Sequence, residues 1–104
     1  MTCRQFAGTW TAAEANTTGA LTAYAVLAPV QQFTFGFETG PGCTCTVQMQ
    51  AAPASSGPWA SLIVAANLST SAYQVQQMAG PLAWLRPYIT AKTTGVLIIT
   101  AEGV

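Results

Sequence analysis

Apolar and polar residues alternate with a period of two along most of this chain, and that alternation restricts the fold more than any other feature. The clearest run is Gln31 to Glu38, where Phe33, Phe35 and Phe37 share one face and Gln32, Thr34 and Gly36 the other. Successive side chains of an extended strand point to opposite faces, so this spacing describes a half-buried strand and not a helix. Cys43 to Gln50 repeats the pattern, with Cys43, Cys45, Val47 and Met49 on one face and Thr44, Thr46, Gln48 and Gln50 on the other. The Thr39-Gly40-Pro41-Gly42 segment between them is a loop, and the two strands are expected to pair across it as a hairpin.

Further strands are expected at Phe6 to Thr11, Leu21 to Val30, Trp59 to Ala66, Tyr73 to Gln76, Leu82 to Ala91 and Val96 to Ala101. Asn16 to Gly19, Asn67 to Ser71, Gly80-Pro81 and Thr93 to Gly95 read as turns. Pro87 has no N–H to give a ladder, so its strand is expected at a sheet edge or to carry a bulge there. Ala12 to Asn16 is the one place where a short helix would fit. About eight short strands spaced near ten residues apart predict an all-β fold: a single-domain antiparallel β-sandwich over 1–104, jelly-roll-like, with 1–10 as a possible extended N-terminal arm.

Composition then limits the chemistry. Six of the 104 residues are charged, and there is no His. The carboxylates are Glu14, Glu38 and Glu102, which read as solvated strand ends and loops and not as a facing catalytic pair. Ser and Thr are abundant, but Lys92 is the sole amine base near any of them, so an enzyme is not expected. Arg4, Arg86 and Lys92 are scattered, which argues against nucleic acid, because phosphate neutralisation needs several cations together. No apolar run approaches the ~20 residues of a membrane-spanning helix. The N-terminus lacks a signal peptide's charged start and apolar stretch and reads as a cytosolic beginning.

Cys43 and Cys45 lie two residues apart, so on a strand they face the same way and are poorly placed to bond each other. With Cys3 they offer three sulfurs but no His and no CxxC pair, and small buried apolar residues are the expected role. No cofactor or metal is expected. The sequons at Asn16 and Asn67 read as turn chemistry.

The aromatic residues allow two readings: core and interface packing, or a platform on which sugars stack. Trp84, Arg86 and Tyr88 fall on one face of their strand, and these residue types are enriched at binding hot spots. Arg86 could equally hold a structural ion pair or satisfy loop carbonyls. The candidate protein-contact residues are Phe6, Trp10, Pro41, Trp84, Arg86 and Tyr88.

The C-terminal half carries a resemblance. Gly57-Pro58-Trp59, an apolar strand, Tyr73-Gln74-Val75, Gly80-Pro81, Trp84-Leu85-Arg86-Pro87-Tyr88-Ile89 and Thr94-Gly95 before Val96 to Ala101 follow in order. This series resembles small β-sandwich structural proteins of tailed bacteriophages, most of all capsid decoration, or cement, proteins. It covers Gly57 to Val104. The Gln76 to Ala79 stretch and the Cys-Thr-Cys strand depart from the pattern. The resemblance implies a virion component made in the host bacterial cytoplasm. It would bind the outside of the major capsid protein lattice, as a dimer or trimer, through its N-terminal arm, the Gly40 to Gly42 loop and the Trp84 face. Alternatives are another virion part (tail, head-completion or fibre-associated) and a carbohydrate-binding host-attachment domain.

Overall fold

A computed structural model describes residues 6–27 and 29–104. Nine strands follow one another: β1 (Phe6–Ala12), β2 (Gly19–Ala20), β3 (Tyr24–Ala25), β4 (Gln32–Thr39), β5 (Cys45–Ala52), β6 (Ala60–Leu68), β7 (Tyr73–Ala79), β8 (Trp84–Lys92) and β9 (Leu97–Gly103). One sheet has the order β1-β9-β4-β7; the other has β2-β8-β5-β6, with β3 also paired to β8. All pairings are antiparallel and they nest: β5 with β6, β4 with β7, β2 and β3 with β8, β1 with β9. The chain is one long hairpin wound into two sheets, which is a jelly roll.

The alternation builds the core as expected. Phe33, Phe35, Phe37, Leu97 and Ile99 from the first sheet face Val47, Met49, Leu85 and Ile89 from the second, and all are fully buried. Phe33 and Phe35 lie nearly parallel, ring centroids 5.9 Å apart, and Phe6 meets Phe33 edge-on at 6.2 Å. Each such side chain contributes about 1.5–3 kcal/mol through burial.

Four expectations are corrected. β4 and β5 are not a hairpin: they lie in different sheets, and residues 40–44 cross between layers. As neighbours in one sheet, their apolar faces would form a single wall with nothing opposite. In facing sheets, Phe35 and Phe37 find Val47 and Met49. The stretch from Leu21 to Val30 is not one strand but supplies only β3, with β2 just before it. The Trp10 indole N–H donates to the Thr22 carbonyl at 2.7 Å, and Tyr24 stacks on the Trp10 ring at 4.9 Å. Those contacts tie the segment to the other sheet and interrupt its ladder.

Pro87 is not at an edge, because β8 lies between β5 and the β2–β3 segments. Its carbonyl accepts from Leu21 N at 3.0 Å, so the side of Pro87 that lacks a donor faces the interruption between β2 and β3. The register shift of the β5–β8 pair falls elsewhere, between Thr46 and Val47. Finally, residues 12–16 form no helix. Asn16 has φ 59°, the left-handed turn conformation that Asn tolerates.

Candidate functional site

The candidate contact residues separate into different places. Trp10 has 4% of its surface exposed and belongs to the core. Phe6 begins β1 rather than sitting on a free arm: residues 6–12 pair with β9 from Phe6↔Gly103 to Ala12↔Leu97. Pro41 is exposed in the loop between β4 and β5. That loop end is laced by hydroxyls, with Gly42 N donating to Thr70 Oγ1 at 2.7 Å and Thr44 N to Thr93 Oγ1 at 2.8 Å. Cys3 and Arg4 lie outside the described residues.

Trp84, Arg86 and Tyr88 do share a surface. Leu85, Pro87 and Ile89 are the buried positions of β8, so the three intervening side chains stand on the outer face, each half-buried. Residues two apart on a strand are about 6.8 Å apart, so Trp84 and Tyr88 stand before and after Arg86 in one outward row. The β5 register sets Gln50 opposite Arg86 and Gln48 opposite Tyr88. Arg86 Nε donates to Gln50 Oε1 at 2.8 Å. The guanidinium carbon lies 4.2 Å from the centre of the Trp59 ring. Trp59 itself folds back over Gly57, whose Cα would carry a Cβ only 3.1 Å from the Trp59 ring. One strand away, Ser61 Oγ donates to Gln48 Oε1 at 2.6 Å.

This face therefore holds an arginine fixed in orientation by a stack and a hydrogen bond. The row of Trp84, Arg86 and Tyr88 is legible from the period of two; the contributions of Trp59 and Gln50 are not. Both come from strands distant in sequence, and the outward positions of Gln48 and Gln50 were the available signal. Arg86 is neither in an ion pair nor bonded to loop carbonyls among the described residues.

The opposite outer face, on the β1-β9-β4-β7 sheet, carries Glu38 and Glu102. Through the β4–β9 register Glu38 lies opposite Ile98 and Glu102 opposite Thr34, four residues apart along the strands. Tyr73 and Val75 of the edge strand β7 are exposed on the same side. At the flank where β1 and β3 approach, Phe6, Ala7, Gly8, Thr9, Tyr24, Ala25 and Leu27 line an apolar groove, and Leu27 is 93% exposed.

Three buried titratable side chains belong to the fold rather than to a surface. Lys92 is 5% exposed, and its Nζ donates to the carbonyls of Glu14 (2.7 Å), Gly95 (2.7 Å) and Thr93 (3.1 Å). Cys43 and Cys45 are buried free thiols. Burial, and next the adjacent Cys43, push the Cys45 thiol up to about 11, against an opposing pull from Lys92.

The class that this geometry defines is the jelly-roll β-sandwich. A solved structure with the same fold is the SPBc2 prophage-derived protein YomS, with a TM-score of 0.60 at 15% identity, covering 99% of this chain and 96% of that one. A second is PirA, with a TM-score of 0.56 at 13% identity, covering 94% and 93%. No protein-family model and no curated protein sequence matches the chain.

Proposed function

We propose that this chain is a structural component of a tailed-phage virion, a decoration protein that binds the outside of the major capsid protein lattice and bridges neighbouring subunits. The observation that carries this reading is the likeness in fold to a prophage-derived protein over nearly the whole of both chains. The phage-like series from Gly57 to Val104 supports it. So does the poverty of charge, since a surface with formal net charge zero does not repel its own copies when crowded on a shell. The role is mechanical and not enzymatic, and it requires no cofactor, nucleic acid or membrane. Repetition of a weak contact over one shell, or within a dimer or trimer, supplies strength through multivalency.

The surface we assign to the shell is the β1–β3 flank, with Leu27 as its most exposed apolar side chain. Co-sedimentation of the purified protein with capsid shells that lack it tests the reading. Saturation at a fixed ratio to the major capsid protein is expected, and Leu27→Asp is expected to abolish pelleting while leaving the circular dichroism spectrum unchanged. A folded protein that stays in the supernatant would sink the proposal.

A further inference from the structure

The outer face of the β2-β8-β5-β6 sheet presents several hydrogen-bond donors, while each of its two Gln carbonyls already accepts a bond from a neighbour. Gln50 Oε1 takes the Arg86 Nε proton and Gln48 Oε1 takes the Ser61 hydroxyl. Each amide is thereby left with its NH₂ to offer, and an amide nitrogen donates only. The two Nη groups of Arg86 have no partner among the described residues. The stack on Trp59 and the bond to Gln50 fix the plane of the guanidinium, so its ordering is complete before any ligand arrives.

Such a surface calls for an acceptor-rich ligand. A guanidinium with free Nη groups matches a carboxylate in a bidentate fork. Charge limits the choice further. Lys92 is buried, Arg4 lies outside the described residues, and Glu38 and Glu102 stand on the opposite sheet. One half-exposed cation among the described residues suits a single carboxylate and is too little for a polyanion such as nucleic acid. Trp84 and Tyr88 are the outward positions on either side of Arg86 in the same row, half-buried and therefore half-presented. They offer ring surface to a ligand with flat C–H faces on both sides of its carboxylate.

We infer that the Trp84–Arg86–Tyr88 row, with Trp59, Gln48 and Gln50, is a binding site for an acidic glycan, its sugar rings lying on the aromatic side chains and a uronate or sialate carboxylate on Arg86. This inference is independent of the virion reading. The site lies on a different surface from the β1–β3 flank, so each can fail without the other.

The test is isothermal titration of the full chain with oligogalacturonate and with sialyllactose, each beside its methyl ester, which keeps the sugar and caps the carboxylate. Binding of at least one free acid is expected, weakened about 10–100-fold on esterification, the range for loss of a hydrogen bond to a charged group. Arg86→Gln should weaken it equally. Arg86→Lys should recover only part, because an ammonium lacks the fork. Trp84→Ala and Tyr88→Ala should each cost about three- to tenfold. Glu38→Gln on the other sheet should change nothing. Thermal melts establish that every variant is folded. Three results overturn the proposal: no binding of any of the sugars by the folded protein, equal binding of acid and ester, or tighter binding of an oligoglutamate peptide that the Trp84 and Tyr88 variants leave unchanged. The last would make the surface a contact for an acidic protein.

Discussion

At the scale of single residues, the informative groups are the polar ones that the core has enclosed. Lys92 holds the Glu14, Thr93 and Gly95 carbonyls together, linking the β1–β2 loop to the β8–β9 turn. Lys92→Met would fill the same volume and take this donor from the Thr93 and Gly95 carbonyls, while the Glu14 carbonyl keeps the Thr17 hydroxyl. A loss of about 1–3 kcal/mol in urea denaturation is expected, the usual cost of an orphaned buried polar group. Cys45 makes a pH-dependent prediction. Its thiol is raised to about 11 in the folded state. Below about pH 9 both folded and unfolded thiols keep their proton, and this group gives no pH dependence. From about pH 9 to about pH 11 the unfolded thiol loses its proton while the folded one keeps it, so stability should fall across that window. Denaturation midpoints for the parent and Cys45→Ala, measured from pH 8 to pH 11, check it. In Cys3→Ser protein, iodoacetamide at pH 8 should leave Cys43 and Cys45 unmodified until the fold is opened.

At the scale of elements, the turns carry constraints that the strands do not. Gly95 has φ +88°, and a Cβ there would lie 2.8 Å from the Pro41 carbonyl oxygen and 2.9 Å from Cys43 Cβ. Gly95→Ala thus meets both a forbidden backbone region and a backbone atom that cannot move aside. A cost of order 1–3 kcal/mol is expected from the backbone alone, read as a lowered melting temperature. β1 is the other sensitive element. Removing residues 1–12 strips the β9 edge and uncovers the Phe33 ring that Phe6 meets. The shortened chain should aggregate, where the full chain melts as a folded protein.

The same elements show what sequence reasoning reaches. β4, β5, β8 and β9 were legible because each must bury one face, and Phe33, Phe35 and Phe37 can do so only as an extended chain. The partners were not legible. Register and sheet membership depend on residues far apart in sequence, and the same alternation fits a hairpin or a crossing between layers. The candidate glycan site divides similarly. Trp84, Arg86 and Tyr88 follow from one strand's period, but Gln50 is 36 positions from the arginine it orients. Trp59, just outside β6, gave no sign of the ring it places over that arginine.

At the scale of the whole molecule, the two outer faces differ in kind. One sheet turns outward Glu38, Glu102, Tyr73 and Val75, and the other a guanidinium stacked on the Trp59 ring in a row with Trp84 and Tyr88. If the chain grips a shell by the β1–β3 flank, as we propose, the second face is left free to meet the surroundings. Many such faces on one particle would turn a weak sugar contact into a durable one. Retention of intact particles on immobilised oligogalacturonate, lost with Arg86→Gln particles of equal decoration, is the expected outcome at this scale.

The nesting of strand pairs also implies an order of events in time. β5 and β6 are joined by a short connection and can meet early, while Phe6 and Gly103 must find each other from opposite ends of the chain. Closing that outermost pair costs the most loop entropy, and folds dominated by such distant contacts assemble in milliseconds to seconds rather than microseconds. A circular permutant that joins the two ends through a short linker and opens the chain at the exposed Ser55–Ser56 segment would reverse the order. β1–β9 would become the local pair and β5–β6 the distant one. The native sandwich would then be reached by a different route, visible as exchanged φ-values in the two pairs.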